Sequence, residues 1–356
     1  MNTACARAEQ FCRRFGLRAP ILLAPMAGAC PPQLSVAVAE AGGMGACGVL
    51  LMQPDDIAAW VAQFRAHSQG AFQLNLWIPD PAPARDAGHE AALRAFLGQW
   101  GPPVPAEAAD GRPPDFAAQC AAMLDARPNV VSSIMGVYPP EFVRELKARG
   151  IAWFAVATTV AEARQAEAAG ADAIVAQGAE AGGHRGSFDA GSALRQQAGL
   201  FALLPAVVDA VRVPVVAAGG IADARGVAAA LTLGASAVLV GTGFLRSDES
   251  SIHRAWADAL ARTAPEDTVV SRVFSGRAGR CIVNDYVRAA AADTAPAPAP
   301  YPVQRGLTAA MRKAAAQQGN LQHMQAWAGQ SAALAQARPA GEIVHTLWQG
   351  ARALLD

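Results

Sequence analysis

Short runs of β-branched and small apolar residues alternate along this chain with longer segments whose apolar positions recur every three or four residues. The short runs lie at 21–24, 46–51, 72–76, 130–134, 153–156, 173–176, 215–218 and 237–240. Each is too short for a helix, and all but 72–76 and 130–134 are apolar on both faces, as strands of a parallel sheet buried on both sides are. Segments 32–41, 54–66, 139–149, 160–169, 200–211 and 222–233 have the helical period, with a proline or small polar residue near the start, where a first helical turn accepts one. Eight strands with intervening helices predict an α/β fold, a (β/α)8 TIM barrel rather than a doubly wound sheet.

Two stretches break the rhythm. Residues 77–129 place Pro79-Asp80-Pro81, Pro102-Pro103 and Pro113-Pro114 around helical pieces at 90–97 and 116–124, which predicts a helical insertion after strand 3, lying over the barrel mouth. The barrel with this insertion is expected to occupy 1–262. A C-terminal helical extension is expected over 263–356: prolines alternating with alanine at 296–302 favour an extended strap, and 308–355 reads as two or three amphipathic helices packed on the barrel. The string Gly43-Met44-Gly45-Ala46-Cys47-Gly48 resembles a dinucleotide fingerprint in spacing only. It closes a helix and enters a strand, the reverse of the required order, and reads as a glycine C-cap.

Composition narrows the function. The 356 residues are 53% hydrophobic and 16% charged, enough to bury a large core without staples. Lysine and arginine total 29 against 29 acidic residues, and a formal charge of zero argues against nucleic acid or an anionic membrane surface as partner. Six scattered cysteines without zinc spacing read as reduced thiols of a cytoplasmic protein. Arg13-Arg14 before the charge-free stretch 19–39 mimic an export signal or a membrane span, but Pro20, Pro25, Pro31 and Pro32 interrupt any helix there. The two lysines, Lys147 and Lys313, avoid strand ends, which disfavours a Schiff-base aldolase. No carboxylate pair suits a glycosidase, and no histidine–acid cluster suits a metal.

In a barrel the chemistry belongs at the carboxyl ends of the strands. Gly219-Gly220 after strand 7 and Gly241-Thr242 after strand 8 can turn backbone N–H groups towards a phosphate. After strand 6, Gln177 leads into Gly182-Gly183-His184-Arg185-Gly186, where a histidine among glycines can present its imidazole to a closely approaching ligand. The amides of Asn75 and Gln177 offer donor and acceptor together, as a flavin edge requires, and Met26 offers an apolar face. Cys30 has no evident partner base. Arg185, Arg277 or Arg305 could anchor a substrate carboxylate, although solvent exposure is the commoner state of a loop arginine.

These residues resemble the nitronate monooxygenase family, formerly 2-nitropropane dioxygenase, in its first class. The resemblance rests on Ala24-Pro25-Met26-Ala27-Gly28, Asn75, residues 177–186, 213–221 and 241–245, Phe274-Ser275-Gly276-Arg277 and Trp327-Ala328-Gly329-Gln330, and so covers nearly the whole chain. It implies FMN contacted by Met26, Asn75, Gln177, Gly182, Gly183, Gly219, Gly220, Gly241 and Thr242, with His184 as catalytic base or substrate-orienting group. It also implies oxidation of alkyl nitronates, such as propionate 3-nitronate, with O2 to a carbonyl compound and nitrite. The sequence departs from the family around the substrate: Trp100 stands near an expected insertion tyrosine, and Tyr301, Arg305 and Ala309 stand where a Tyr, Tyr, Lys set is expected. Two alternatives keep the barrel: an FMN-dependent NAD(P)H:quinone or enoyl reductase, and a non-redox barrel binding a phosphate-bearing ligand.

Overall fold

In a computed structural model that describes residues 3–356, eight parallel strands form a closed (β/α)8 barrel. They are β1 (Ile21–Leu23), β2 (Gly45–Gly48), β3 (Phe72–Trp77), β4 (Val130–Ile134), β5 (Ala152–Ala157), β6 (Ala173–Gln177), β8 (Val215–Ala218) and β9 (Ala237–Val240). Their order is β1-β9-β8-β6-β5-β4-β3-β2. A parallel bridge between Leu22 and Met44 closes the ring. All eight strands expected from the apolar runs are present.

The two-residue period of a strand explains why most of these runs are apolar throughout. In β5, Phe154 and Val156 join the barrel interior, whereas Trp153, Ala155 and Ala157 pack outward against the helices. β6 and β8 repeat the division, with Val175 and Val216 inside and Ile174 and Val215 outside. The amino end of the barrel is stoppered by helix Thr3–Phe15, which the sequence reading did not anticipate. Its Phe15 ring meets Phe154 edge-on at 5.0 Å, and Phe11 lies 6.0 Å from the same ring. The interior is therefore filled from below and open only above.

The excursion after β3 is shorter than its proline content suggests. Helix Phe116–Ala126 packs against helices Pro54–His67 and Pro140–Ala148 as the ordinary connection from β3 to β4. Only the preceding part, with helix Ala87–Leu97 and the turn Ala106–Asp110, leaves the ring. It meets the C-terminal segment over the mouth, where Leu93, Leu97 and Ala109 share a core with Phe274, Tyr286, Leu307 and Met311. The strap runs over Gly276, whose φ of 87° and bare Cα admit it: a Cβ there would lie 2.4 Å from the Tyr301 nitrogen. The last helix, Ala340–Leu355, returns to the outer ring and packs between helices Ala224–Thr232 and Pro32–Glu40. The latter helix ends at Ala41, followed by left-handed Gly42, so the expected glycine stop falls one residue before the Gly43 string.

A second, antiparallel sheet was not expected. It joins β10 (Thr268–Ser271), β11 (Gly279–Ile282) and the two-residue β7 (Gly183–His184). This sheet ties the segment after β6 to the C-terminal extension, across the open end of the barrel.

Candidate active site

The carboxyl end of the barrel opens into one cavity lined by all the residues expected to contact FMN and by the expected catalytic histidine: Met26, Asn75, Gln177, Gly182, Gly183, His184, Gly219, Gly220, Gly241 and Thr242. Strand period places Asn75 there. Its neighbour at two residues, Trp77, lines the cavity too and is a site residue the sequence reading missed, although the same period marks it. Asn75 Nδ2 donates to Ser132 Oγ at 3.0 Å and to the Ser132 carbonyl at 3.3 Å.

Gln177 shapes the next segment. Its Nε2 donates to the His184 carbonyl at 3.0 Å, and its Oε1 accepts from Gly186 N at 2.8 Å. Arg185, 1% exposed, turns away from the cavity and donates to the Gly178 carbonyl at 2.7 Å. Arg277, 2% exposed, lies 3.0 Å from the Asp80 carboxylate. Arg305 does line the cavity, and none of the three is the solvent-exposed loop arginine that base expectation favours.

His184 is held in a strand rather than a free loop, paired with Gly279 of β11. Two indoles enclose its ring: Trp77 at 4.6 Å and 70°, and Trp327 at 4.8 Å and 60°. Its Nε2 lies 2.8 Å from Ser275 Oγ, which also reaches the Arg277 carbonyl at 3.2 Å. When the hydroxyl proton points to that carbonyl, the imidazole donates from Nε2 and Nδ1 keeps its lone pair. Burial, followed by the charges of Arg305, Arg277 and Arg312, lowers the imidazole pKa to about 3. The ring is thus neutral at physiological pH. Sequence reasoning reached Ser275 and Trp327 only through resemblance, because nothing local shows that segments 91 and 143 residues away fold onto His184.

Also lining the cavity, three loops approach one another where side chains are missing. A Cβ on Gly182 would lie 2.5 Å from Gly329 N and 2.8 Å from Thr242 Oγ1, which itself accepts from Gly329 N at 3.0 Å. Gly219 and Gly220 have φ of 108° and 69°, a region L residues rarely adopt. Among the described residues, no protein acceptor takes the N–H groups of Gly219, Gly220, Gly241 or Thr242, all at the cavity wall. Such a row of unsatisfied donors is an anion cradle.

The thiols contribute nothing here. All six are buried and unpaired, and burial pushes Cys30 up to about 12. Among the described residues, no helix is long and apolar enough to cross a membrane.

Known proteins with this architecture extend the comparison to the whole chain. A profile described as nitronate monooxygenase matches residues 11–350. A nitronate monooxygenase of Paraburkholderia phytofirmans is 40% identical over 338 residues, 93% of this chain and 92% of that protein. One of Pseudomonas aeruginosa is 38% identical over 346 residues, 95% of this chain and 98% of that protein. The crystal structure of a nitroalkane oxidase from Streptomyces ansochromogenes superposes with a TM-score of 0.86 at 37% identity, covering 96% and 98% of the two chains. The likeness runs through the stoppering helix, the mouth and the returning C-terminal helix as well as the barrel strands, and on that ground the chain is an oxidoreductase enzyme of the nitronate monooxygenase family.

Proposed function

We propose that the protein oxidises alkyl nitronates with O2 to a carbonyl compound and nitrite, using FMN held at the mouth of the barrel. One observation carries the reading: a neutral imidazole, enclosed by two indoles and facing arginine charge, lines the same cavity as a cradle of unsatisfied N–H groups. The cradle suits the FMN phosphate, held by Gly219, Gly220, Gly241 and Thr242, while Met26, Asn75, Gln177, Gly182 and Gly183 would border the ring system. FMN bound there supplies the electron acceptor and the means of passing electrons to O2.

The chain's own residues handle the substrate. A histidine whose pKa is driven down is a poor base for pulling a proton from carbon, but it suits a substrate already deprotonated. His184 then orients the nitronate by hydrogen bonding, with Ser275 fixing the ring and Trp77 and Trp327 excluding water. The surrounding arginines favour the anion over the neutral nitroalkane. The six buried thiols support a reducing compartment, and the cytoplasm is the proposed location.

Anaerobic mixing of the yellow purified protein with ethylnitronate or propionate 3-nitronate should bleach the flavin band, and admitting air should release nitrite. A band that persists with every nitronate but bleaches at once with NADH would replace this reading with a reductase.

A further inference from the structure

Gln325 lines the cavity two residues before Trp327, whose indole packs on His184 at 4.8 Å. Its amide has one orientation. Arg312 Nη1 lies 3.3 Å from Oε1, and a guanidinium donates but never accepts, so the oxygen faces Arg312 and the nitrogen is the end left for the cavity. Arg312 also donates to the Arg305 carbonyl at 2.9 Å and to Thr308 Oγ1 at 3.0 Å. With no carboxylate among these partners, its charge polarises the Gln325 amide. The backbone on either side is held as well: Asn284 Nδ2 donates to the Met324 carbonyl at 2.9 Å, and Trp256 Nε1 to the Trp327 carbonyl at 3.1 Å. Among the described residues, no acceptor takes either N–H of Gln325 Nε2.

Asn75 and Gln177, the other side-chain amides of the cavity wall, already donate, to Ser132 and to the His184 carbonyl. A nitronate spreads one negative charge over two oxygens and has no N–H or O–H of its own, so every hydrogen bond it makes is one it accepts. A neutral His184 has one N–H, and Ser275 Oγ lies 2.8 Å from Nε2, so the ring gives the substrate at most one donor. The second oxygen needs another. A fixed, polarised N–H for which no protein group competes is such a donor, and its bond to a charged acceptor is stronger than one to a neutral group.

We propose that Gln325 is a substrate-binding residue whose Nε2 donates to one oxygen of the nitronate group, with Arg312 as the positioning residue that turns the amide. The inference rests on the nitronate reading, and its test separates the two. Propionate reproduces the planar, two-oxygen anion of ethylnitronate. In calorimetric titration of the flavin-loaded protein, Gln325→Leu should bind propionate about 10-fold or more weakly than the unsubstituted protein, with flavin content and visible spectrum unchanged. Gln325→Glu keeps an acceptor for Arg312 but presents a second oxygen where the N–H groups stood. It should bind propionate no better than Gln325→Leu, whereas a merely structural role for the side chain would leave it near the unsubstituted protein. Should Gln325→Leu not fold, Gln325→Glu carries the test alone. In turnover both variants should lose about 10- to 100-fold in kcat/KM, and equally for ethylnitronate and butyl-1-nitronate, which differ only in chain length. Failure of the unsubstituted protein to bind propionate, affinity in Gln325→Glu within about 3-fold of it, or unequal losses for the two nitronates would overturn the assignment. A Gln325-dependent affinity for propionate in a protein that oxidises no nitronate would uphold the donor and refute the nitronate reading.

Discussion

Burial and three guanidinium groups act on His184 in the same direction, and the consequence extends beyond chemistry to stability. The folded imidazole has a pKa near 3, below its ordinary 6.5, so between these values the unfolded chain binds a proton that the folded chain refuses. The contribution of the neutral ring is complete above about pH 6.5 and declines as pH falls towards 3. Flavin-free protein should therefore lose stability relative to His184→Asn on going from pH 7 to pH 5, by on the order of 2 kcal/mol. Urea midpoints of the two proteins at both pH values check this; a gap that does not change with pH would mean the ring is not held neutral. At this scale the sequence shows unevenly. His184, Asn75 and the paired glycines are visible because they follow apolar runs at strand ends. Trp77 is visible by counting two from Asn75. Ser275 and Arg305 depend on docking across the mouth, and a local pattern says nothing of which distant segments meet.

The glycine loops that line the cavity derive their function from what their residues lack. Gly182 lets the segment after β6 lie against Gly329 and Thr242, and a methyl group there would fall 2.5 Å from a backbone nitrogen that cannot yield without moving its loop. Gly182→Ala should leave the barrel folded, with unchanged far-ultraviolet dichroism, yet release flavin on gel filtration or weaken its binding by about 10-fold or more. Flavin retained at full occupancy would show that the close approach of these loops does not shape the cofactor site. The strands and their order follow from period and length, which is why the barrel is legible residue by residue. Two kinds of element are not. Helix Thr3–Phe15 carries arginines and a glutamate among its apolar positions, and its role appears only when Phe11 and Phe15 reach Phe154. The strand β7 is two residues long, below any periodic signal, and exists because β11 arrives beside it.

The returning helix Ala340–Leu355 determines how the molecule holds together. It stands in the outer ring beside helices Pro32–Glu40 and Ala224–Thr232, with Ile343, Val344, Leu347 and Ala351 buried in the same core as the barrel strands. Between it and β9, the chain crosses the mouth, contributes β10 and β11, and covers His184 with Trp327. The first and last parts of the barrel are thus joined through the segment that builds the site, so the small core of that segment, around Phe274, Tyr286 and Met311, is bounded in the chain by barrel elements on both sides. Unfolding in urea should accordingly be one transition, coincident when followed by far-ultraviolet dichroism, tryptophan emission and flavin release. Leu347→Ala, made outside the residues that line the cavity, should lower the midpoint of all three together by the equivalent of about 2–5 kcal/mol. Were tryptophan emission and flavin release to change well before the dichroism, the mouth would be a separately stable layer, and the returning helix would hold the barrel alone.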